Sequence, residues 1–183
     1  MSLIFLAILV VAALWAVSIF NGLVRRKNVV AEAWSGIEAQ LKRRADLIPN
    51  LVATVQGYAA HERGTFDELT KLRAEAGTQD IAQRAQTEQA ITSAIGKVMA
   101  VAEAYPDLKA SANFQSLQKD LADIEDQIQM ARRYYNGAVR DFNTTIEQFP
   151  SNIVANIGSF KPAQFFQIDN AADRDVPKVA FAG

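Results

Sequence analysis

The first twenty residues contain no charged side chain, no proline and no glycine. A helix rises about 1.5 Å per residue, so twenty apolar residues cover roughly the 30 Å hydrocarbon core of a bilayer. The only hydroxyl side chains in this run, Ser2 and Ser18, lie near its ends. We therefore interpret residues 1–22 as a transmembrane anchor.

Two other interpretations of this run are less favoured. A cleaved signal peptide has a basic segment before a shorter apolar core and small residues at its cleavage site. Here no basic residue precedes the run, and its exit around Ile19 and Phe20 is bulky. A buried core helix would need a protein large enough to cover every face, and the remaining chain makes only one modest domain.

Three basic residues follow the anchor directly: Arg25, Arg26 and Lys27. Because lysine and arginine accumulate on the cytoplasmic side of membrane helices, the amino terminus is expected outside and the domain in the cytoplasm. The same residues can attract anionic lipid. We prefer the simpler role of topology determinant.

Composition limits the classes of function. The 183 residues include 19 basic and 20 acidic side chains, so no broad basic surface indicates nucleic-acid binding. There is no cysteine, which excludes disulfides, thiolate catalysis and cysteine-based metal sites. No cofactor and no small-molecule substrate is indicated. Sparse glycine and proline favour an all-α fold.

The second half predicts one long helix over about 112–149. Its apolar residues follow alternating steps of three and four, the pattern of a helical bundle or coiled coil. The positions are Phe114, Leu117, Leu121, Ile124, Ile128, Ala131, Tyr135, Ala138, Phe142, Thr145 and Phe149, with Ile146 able to replace Thr145.

A similar stripe in the first half predicts that the membrane helix continues into the domain, to about residue 63. It comprises Val30, Trp34, Ile37, Leu41, Arg44, Ile48, Leu51, Val55 and Tyr58. Pro49 lacks an N–H and clashes with the preceding turn, so a kink is expected near Ala45 to Ile48, with Pro49 as the hinge. Arg44 falls on the apolar stripe. Since a buried guanidinium needs a partner, we predict an ion pair with Glu125 or Asp126.

Two shorter helices are expected between these long ones. Gly64 is a candidate helix end, and Thr65 with Glu68 forms a capping box that would start the next helix, which runs to Gly77. Asp80 with Gln83 can cap another start. An antiparallel bundle of three to four long helices over 23–149 follows. Three layers with a broken middle layer are the simplest packing, and a four-helix up-down arrangement is the alternative.

The segment 150–168 is dense in apolar residues, including Ile153, Ile157, Phe160, Phe165 and Phe166. The interpretation slightly favoured is that it folds back over the end of the bundle. If it is exposed instead, it marks a surface for a partner or for self-association. Residues 169–183 are polar and alanine-rich, which is typical of a mobile tail.

Other candidate sites are weak. His61 is the only histidine, and a di-iron bundle site needs two Glu-x-x-His motifs. A charge near a helix C-terminus is the better interpretation. The cluster of Trp34 with Tyr134, Tyr135 and Asn136 could form a binding patch, but aromatic residues at helical spacing are more often core.

Several words of the sequence resemble the LemA family over essentially the whole chain. They are Ala33–Ile37, Gln40–Val52, Gly57–Glu62, Glu103–Lys109, Arg132–Asn136, Asn143–Asn152 and Val176–Phe181. The resemblance implies a bacterial protein with one amino-terminal membrane helix, its amino terminus outside, and an antiparallel helical domain in the cytoplasm. It implies no established enzyme activity, cofactor or substrate.

These patterns favour a non-enzymatic scaffold or interaction module, held in the bacterial inner membrane by its first helix and associating with itself or with a protein partner. A membrane-linked sensing bundle with a hinge at Pro49 is the alternative. An enzyme ranks last, because no nucleophile–base pair, phosphate loop or metal spacing is present in the sequence.

Overall fold

The computed structural model describes residues 2–59, 61–77 and 80–167, and it is all-α, with no strand among them. Six helices follow in order: α1 Ser2–Gln56, α2 Arg63–Glu75, α3 Ile81–Glu103, α4 Pro106–Lys109, α5 Ala112–Glu147 and α6 Ser151–Ile157. The predicted mobile tail at 169–183 lies outside the described residues. Two compact units can be distinguished, one from residues 2–47 with 115–165, the other from the described residues of 48–114 with 166–167.

In the first unit, α1 and α5 pack antiparallel. Trp34 stacks obliquely on Tyr135, with ring centroids 5.4 Å apart. Further towards the start of α1, Leu23 shares a buried cluster with Phe142 and Ile146 near the end of α5. Residue numbers therefore fall along α5 as they rise along α1, so α5 ends beside the part of α1 that follows the apolar run.

The buried faces follow the heptad stripes over most of their length. On α1, Ile37, Leu41 and Arg44 are buried, and on α5 so are Ile124 and Ile128. Two stripe positions at helix ends are wrong: Tyr58 and Phe149 are exposed. Helix α1 ends at Gln56 and α5 at Glu147, so neither residue continues the helical register. Ile146, rather than Thr145, is buried in the last turn of α5.

In the second unit, α2 and α3 pack against each other. The Lys97 ammonium on α3 lies 2.9 Å from the Glu68 carboxylate on α2. Helices α2 and α3 therefore do not lie end to end as one layer broken around Gly77, as the simplest packing expected. A chain that folds α2 back on α3 can bury an apolar face of each helix against the other, whereas two helices in line leave those faces to other elements.

Helix capping agrees with the sequence at one predicted start and not at another. The Asp80 side chain accepts a hydrogen bond of 2.8 Å from the Gln83 backbone N–H at the start of α3. Helix α2, however, begins at Arg63 after Glu62, so Gly64 lies inside it and Thr65 is not its cap. The predicted boundary erred because α1 ends at Gln56, seven residues earlier than expected.

Candidate membrane and interaction surfaces

The apolar run forms the first part of α1 and is open to its surroundings. Helix α1 is long and apolar enough to cross a membrane, and none of its most apolar stretch is buried in the protein. Large side chains such as Leu3, Phe5 and Leu14 are more than half exposed. Since exposing such an apolar surface to water is unfavourable, this stretch is suited to a lipid environment.

The basic residues Arg25, Arg26 and Lys27 lie on α1 just beyond this stretch, and all three are exposed. A side-chain carbon added at Gly22 would lie 3.6 Å from Nη1 of Arg26, so the guanidinium reaches back along the helix. An open depression of about 520 Å³ runs along this face. It is lined by Leu14, Val17, Ser18, Asn21, Gly22, Arg25 and Arg26.

The charged centre of the α1–α5 interface is an ion pair. Arg44 is buried, and its Nη1 donates a hydrogen bond of 2.8 Å to Oε2 of Glu125. The other oxygen of that carboxylate accepts a bond of 2.9 Å from the Gln129 amide. Glu125 keeps about a third of its side chain in contact with solvent. Asp126, the other suggested partner, lies on the exposed side of α5.

A neighbouring groove of about 430 Å³ has a mixed polar and apolar lining. It is formed by Arg43 and Leu47 of α1 and by Asp120, Asp123, Ile124 and Gln127 of α5. Its charged side chains are two carboxylates and one guanidinium. Pro49 is an exposed residue inside α1, and the hinge there stays a prediction. His61 is exposed in the turn before α2.

The aromatic cluster divides into core and surface. Tyr135 is buried, and its hydroxyl donates a hydrogen bond of 2.8 Å to the Gln164 carbonyl oxygen. Burial raises the pKa of the Tyr135 phenol, because the charged phenolate would be poorly solvated there. Tyr134 is exposed, and Trp34 and Asn136 are partly buried. Tyr135 therefore ties the C-terminal segment to the interface between α1 and α5.

The C-terminal segment is fastened to the first unit at two further points. The Asn143 amide donates to the Ala163 carbonyl oxygen at 2.9 Å, and its oxygen accepts from the Ala163 N–H at 2.8 Å. The Phe160 ring packs edge-on against Phe142, at 6.3 Å between centroids, and against Phe20, at 5.5 Å. These contacts hold residues 160–164 along α1 and α5.

The suggested interaction residues consequently have different environments. Phe166 is buried and Phe160 is partly buried, whereas Ile153, Ile157 and Phe165 are exposed. Sequence reasoning missed the roles of Asn143 and Gly158. A paired amide contact between residues twenty positions apart has no periodic signal, and a glycine that leaves room for an aromatic ring is evident only once the ring is placed.

Comparison with known proteins identifies the family. The family model for LemA matches residues 33–181. Protein LemA of Metamycoplasma hominis is 29% identical over 157 residues, covering 81% of this chain and 72% of the relative. Magnetosome protein MamQ 2 of Paramagnetospirillum magneticum is 27% identical over 169 residues, covering 78% of this chain but only 62% of that longer protein. MamQ of Magnetospirillum gryphiswaldense is 24% identical over 169 residues, and the match covers 78% of this chain and 62% of that protein. The chain belongs to the LemA family.

Proposed function

We propose that this protein is a non-enzymatic helical module that is anchored in the bacterial inner membrane by α1 and acts through protein–protein contacts, including contacts with its own copies. The amino terminus lies outside, and the helices beyond the anchor lie in the cytoplasm. The observation that carries this proposal is the single helix α1, whose first part is apolar and exposed while its continuation is packed against α5.

Support for the anchor comes from the contrast along α1. Before Ile19 large apolar side chains face outward, and from Leu23 onward the apolar positions turn inward towards α5. No helix boundary separates the two parts. A movement of the anchored part is therefore passed directly to the packed part, which is a useful property in a scaffold attached to lipid.

Support for a role in contacts rather than catalysis comes from the use made of buried charge. The Arg44 guanidinium joins α1 to α5 through Glu125, which Gln129 also orients. On α3, the buried Glu88 carboxylate accepts a 2.6 Å bond from Arg84 one turn earlier. The first pair joins two helices and the second lies within one helix, so these bonds of both pairs are structural ones.

Orientation is tested with single cysteines, since the chain contains none of its own. Ser2→Cys and Ala39→Cys both place a thiol on an exposed position of α1. A membrane-impermeant maleimide added to intact spheroplasts should label Ser2→Cys and should label Ala39→Cys only after lysis. The reverse pattern would overturn the proposed orientation.

Self-association is tested by counting subunits. The intact protein, labelled with one fluorophore at Ala39→Cys, is extracted into nanodiscs directly from its own membrane and examined by stepwise photobleaching. We expect two or more bleaching steps per disc. A uniform single step, with no other protein co-purified, would contradict a scaffold that works through its own copies, while leaving the anchor unaffected.

The second candidate is a sensing bundle, and it is favoured by the position of Pro49 inside a continuous helix. Proline removes one hydrogen bond of the helix, so bending is easier there than elsewhere. Spin labels at Ala39→Cys and Ala53→Cys report the distance across Pro49 on one helix. A distance distribution that Pro49→Ala leaves unchanged would remove the hinge from consideration.

A further inference from the structure

Helix α6 is apolar on two sides, and only one of them is covered. Ala155 is buried and Val154 packs against the cluster around Leu23. Ile153 and Ile157 lie one turn apart on another face, with 51% and 81% of their surfaces exposed. Phe149, in the turn before α6, is 79% exposed. We name Phe149, Ile153 and Ile157 the interfacial patch.

The interfacial patch lies where α1 leaves its apolar run. Gly158 directly follows Ile157, and a side-chain carbon added to it would lie 3.1 Å from Cε2 of Phe20. The ring of Phe160 also packs on Phe20. Phe20 is the last residue of the apolar run. The end of α6 is thus at the same height along α1 as the boundary between its apolar and polar parts.

The charges around this boundary are mainly basic. Residues 19–30 and 142–163 contain five charged side chains, namely Arg25, Arg26, Lys27, Lys161 and Glu147. Arg25, Arg26, Lys27 and Lys161 are exposed. An anionic leaflet surface attracts such a set, whereas a typical protein partner would have to supply matching acids at one particular place.

We propose that the interfacial patch inserts into the headgroup zone of the leaflet that α1 enters, so that an anionic lipid surface covers the exposed face of α6. Short amphipathic segments bind in this way, with their apolar side chains buried roughly 5–10 Å into the boundary between headgroups and acyl chains. The inference rests on the proposed crossing of the bilayer by α1 and adds a second, peripheral attachment.

The second attachment gives the first unit a defined orientation relative to the bilayer. A single membrane helix is free to rotate about its axis and to tilt, and interfacial side chains restrict both motions. Because α6 is fastened to α5 and α1 through Phe160, a lipid contact at Ile157 fixes which side of the α1–α5 pair faces the membrane.

The test uses an environment-sensitive fluorophore on single-cysteine variants of the full chain, one copy per nanodisc. Ile157→Cys probes the patch, Leu9→Cys probes the anchor, and Lys119→Cys, near the start of α5, is the water-exposed control. Each is measured in phosphatidylcholine discs with and without phosphatidylglycerol, and again with lipids that carry a nitroxide quencher near the headgroup or deep in the acyl chain.

We expect probe 157 to emit at shorter wavelength than probe 119 and to be quenched by the shallow nitroxide, more strongly when phosphatidylglycerol is present. Probe 9 should be quenched by the deep nitroxide. If probe 9 behaves so while probe 157 emits like probe 119, the inference is overturned and the anchor stands. A blue-shifted probe 157 without lipid quenching would mean a protein covering and would also overturn it. An unquenched probe 9 would contradict insertion of the anchor, and the inference would then fail together with the proposed function.

A double variant supplies an independent check that does not depend on a probe at the patch centre. Ile153→Ser with Ile157→Ser changes two exposed side chains, so helix content should stay unchanged. The shallow quenching of a probe at Phe149→Cys should fall to the level of probe 119. Retention of that quenching would contradict insertion of α6.

Discussion

Arg44 is a guanidinium on a stripe of aliphatic residues, and the structure shows why the helix pair tolerates it. Its charge is met by Glu125, whose carboxylate is in turn held by Gln129 and reaches water on one side. A buried ion pair adds little stability over apolar residues of similar size, but removing one partner leaves the other charge poorly solvated.

Arg44→Ala should therefore destabilise the protein by about 2 kcal/mol, less than for a fully buried pair because Glu125 retains solvent contact. Thermal or chemical unfolding of the detergent-solubilised chain measures the change. Lys42→Ala is the matched control, since Lys42 and Asp46 form an exposed pair one turn apart. Equal effects of the two substitutions would contradict a structural role for Arg44.

Tyr135 gives a pH dependence with a definite sign. Its folded-state pKa is raised above the ordinary value of 10.0, so the phenol stays protonated to a higher pH in the folded state than in the unfolded state. The contribution to stability is complete below pH 10.0 and is lost as the pH rises through the folded-state pKa. Tyr135→Phe should lose about 1 kcal/mol at neutral pH and show a weaker alkaline decline. Tyr134→Phe, at an exposed position, should keep the decline of the parent.

At the level of helices, the sequence predicted the elements that carry a repeating apolar pattern and missed the features that carry none. The stripe on α5 gave its bounds to within two residues, because thirty-six residues of heptad pattern average out local exceptions. The pairing of α2 with α3, for example, includes the contact of Lys97 with Glu68, and α6 is placed by contacts such as that of Phe160 with Phe20. Those contacts join residues that are distant in sequence and carry no periodic signal.

The docking of α6 depends on the absence of a side chain at one position. A Cβ atom at Gly158 would come within 2.7 Å of the Phe160 ring and 3.1 Å of Phe20. Gly158→Ala should cost about 1–3 kcal/mol and raise the amide exchange rates of residues 153–160, because the ring has to leave its site. Gly137→Ala is the control: nothing surrounds that position on α5, and a gain of up to about 1 kcal/mol is expected. Unaltered exchange in Gly158→Ala would contradict the packing described.

The two hydrogen bonds between Asn143 and Ala163 hold the irregular segment around Ala163 against α5. Asn143→Ala removes both and should lower stability by about 2 kcal/mol. Asn143→Asp keeps the acceptor and loses the donor, so an intermediate loss is expected. Limited proteolysis should cut residues 158–164 faster in both variants. Cleavage at the parent rate would show that Phe160 and Tyr135 are sufficient to secure the segment.

For the molecule as a whole, orientation in the bilayer is proposed to follow from three charges. Replacing Arg25, Arg26 and Lys27 together by glutamate should reverse or mix the maleimide labelling of Ser2→Cys, because the positive flank that is retained in the cytoplasm is removed. Lys42→Glu with Arg43→Glu, about twenty residues beyond the apolar run, should leave the labelling unchanged. Unaltered labelling in the triple variant would assign orientation to another part of the chain.

Helix α1 also separates two electrostatic environments. From Asn21 to Arg44 the axis covers roughly 35 Å, whereas charges in physiological salt are screened over about 8 Å. The Arg44–Glu125 pair is therefore out of electrical range of a lipid surface at Asn21, while Arg25 and Arg26 are within it. Under the proposed anchoring, a change in lipid charge is therefore expected to act on Arg25 and Arg26 and to leave the Arg44–Glu125 bond unchanged.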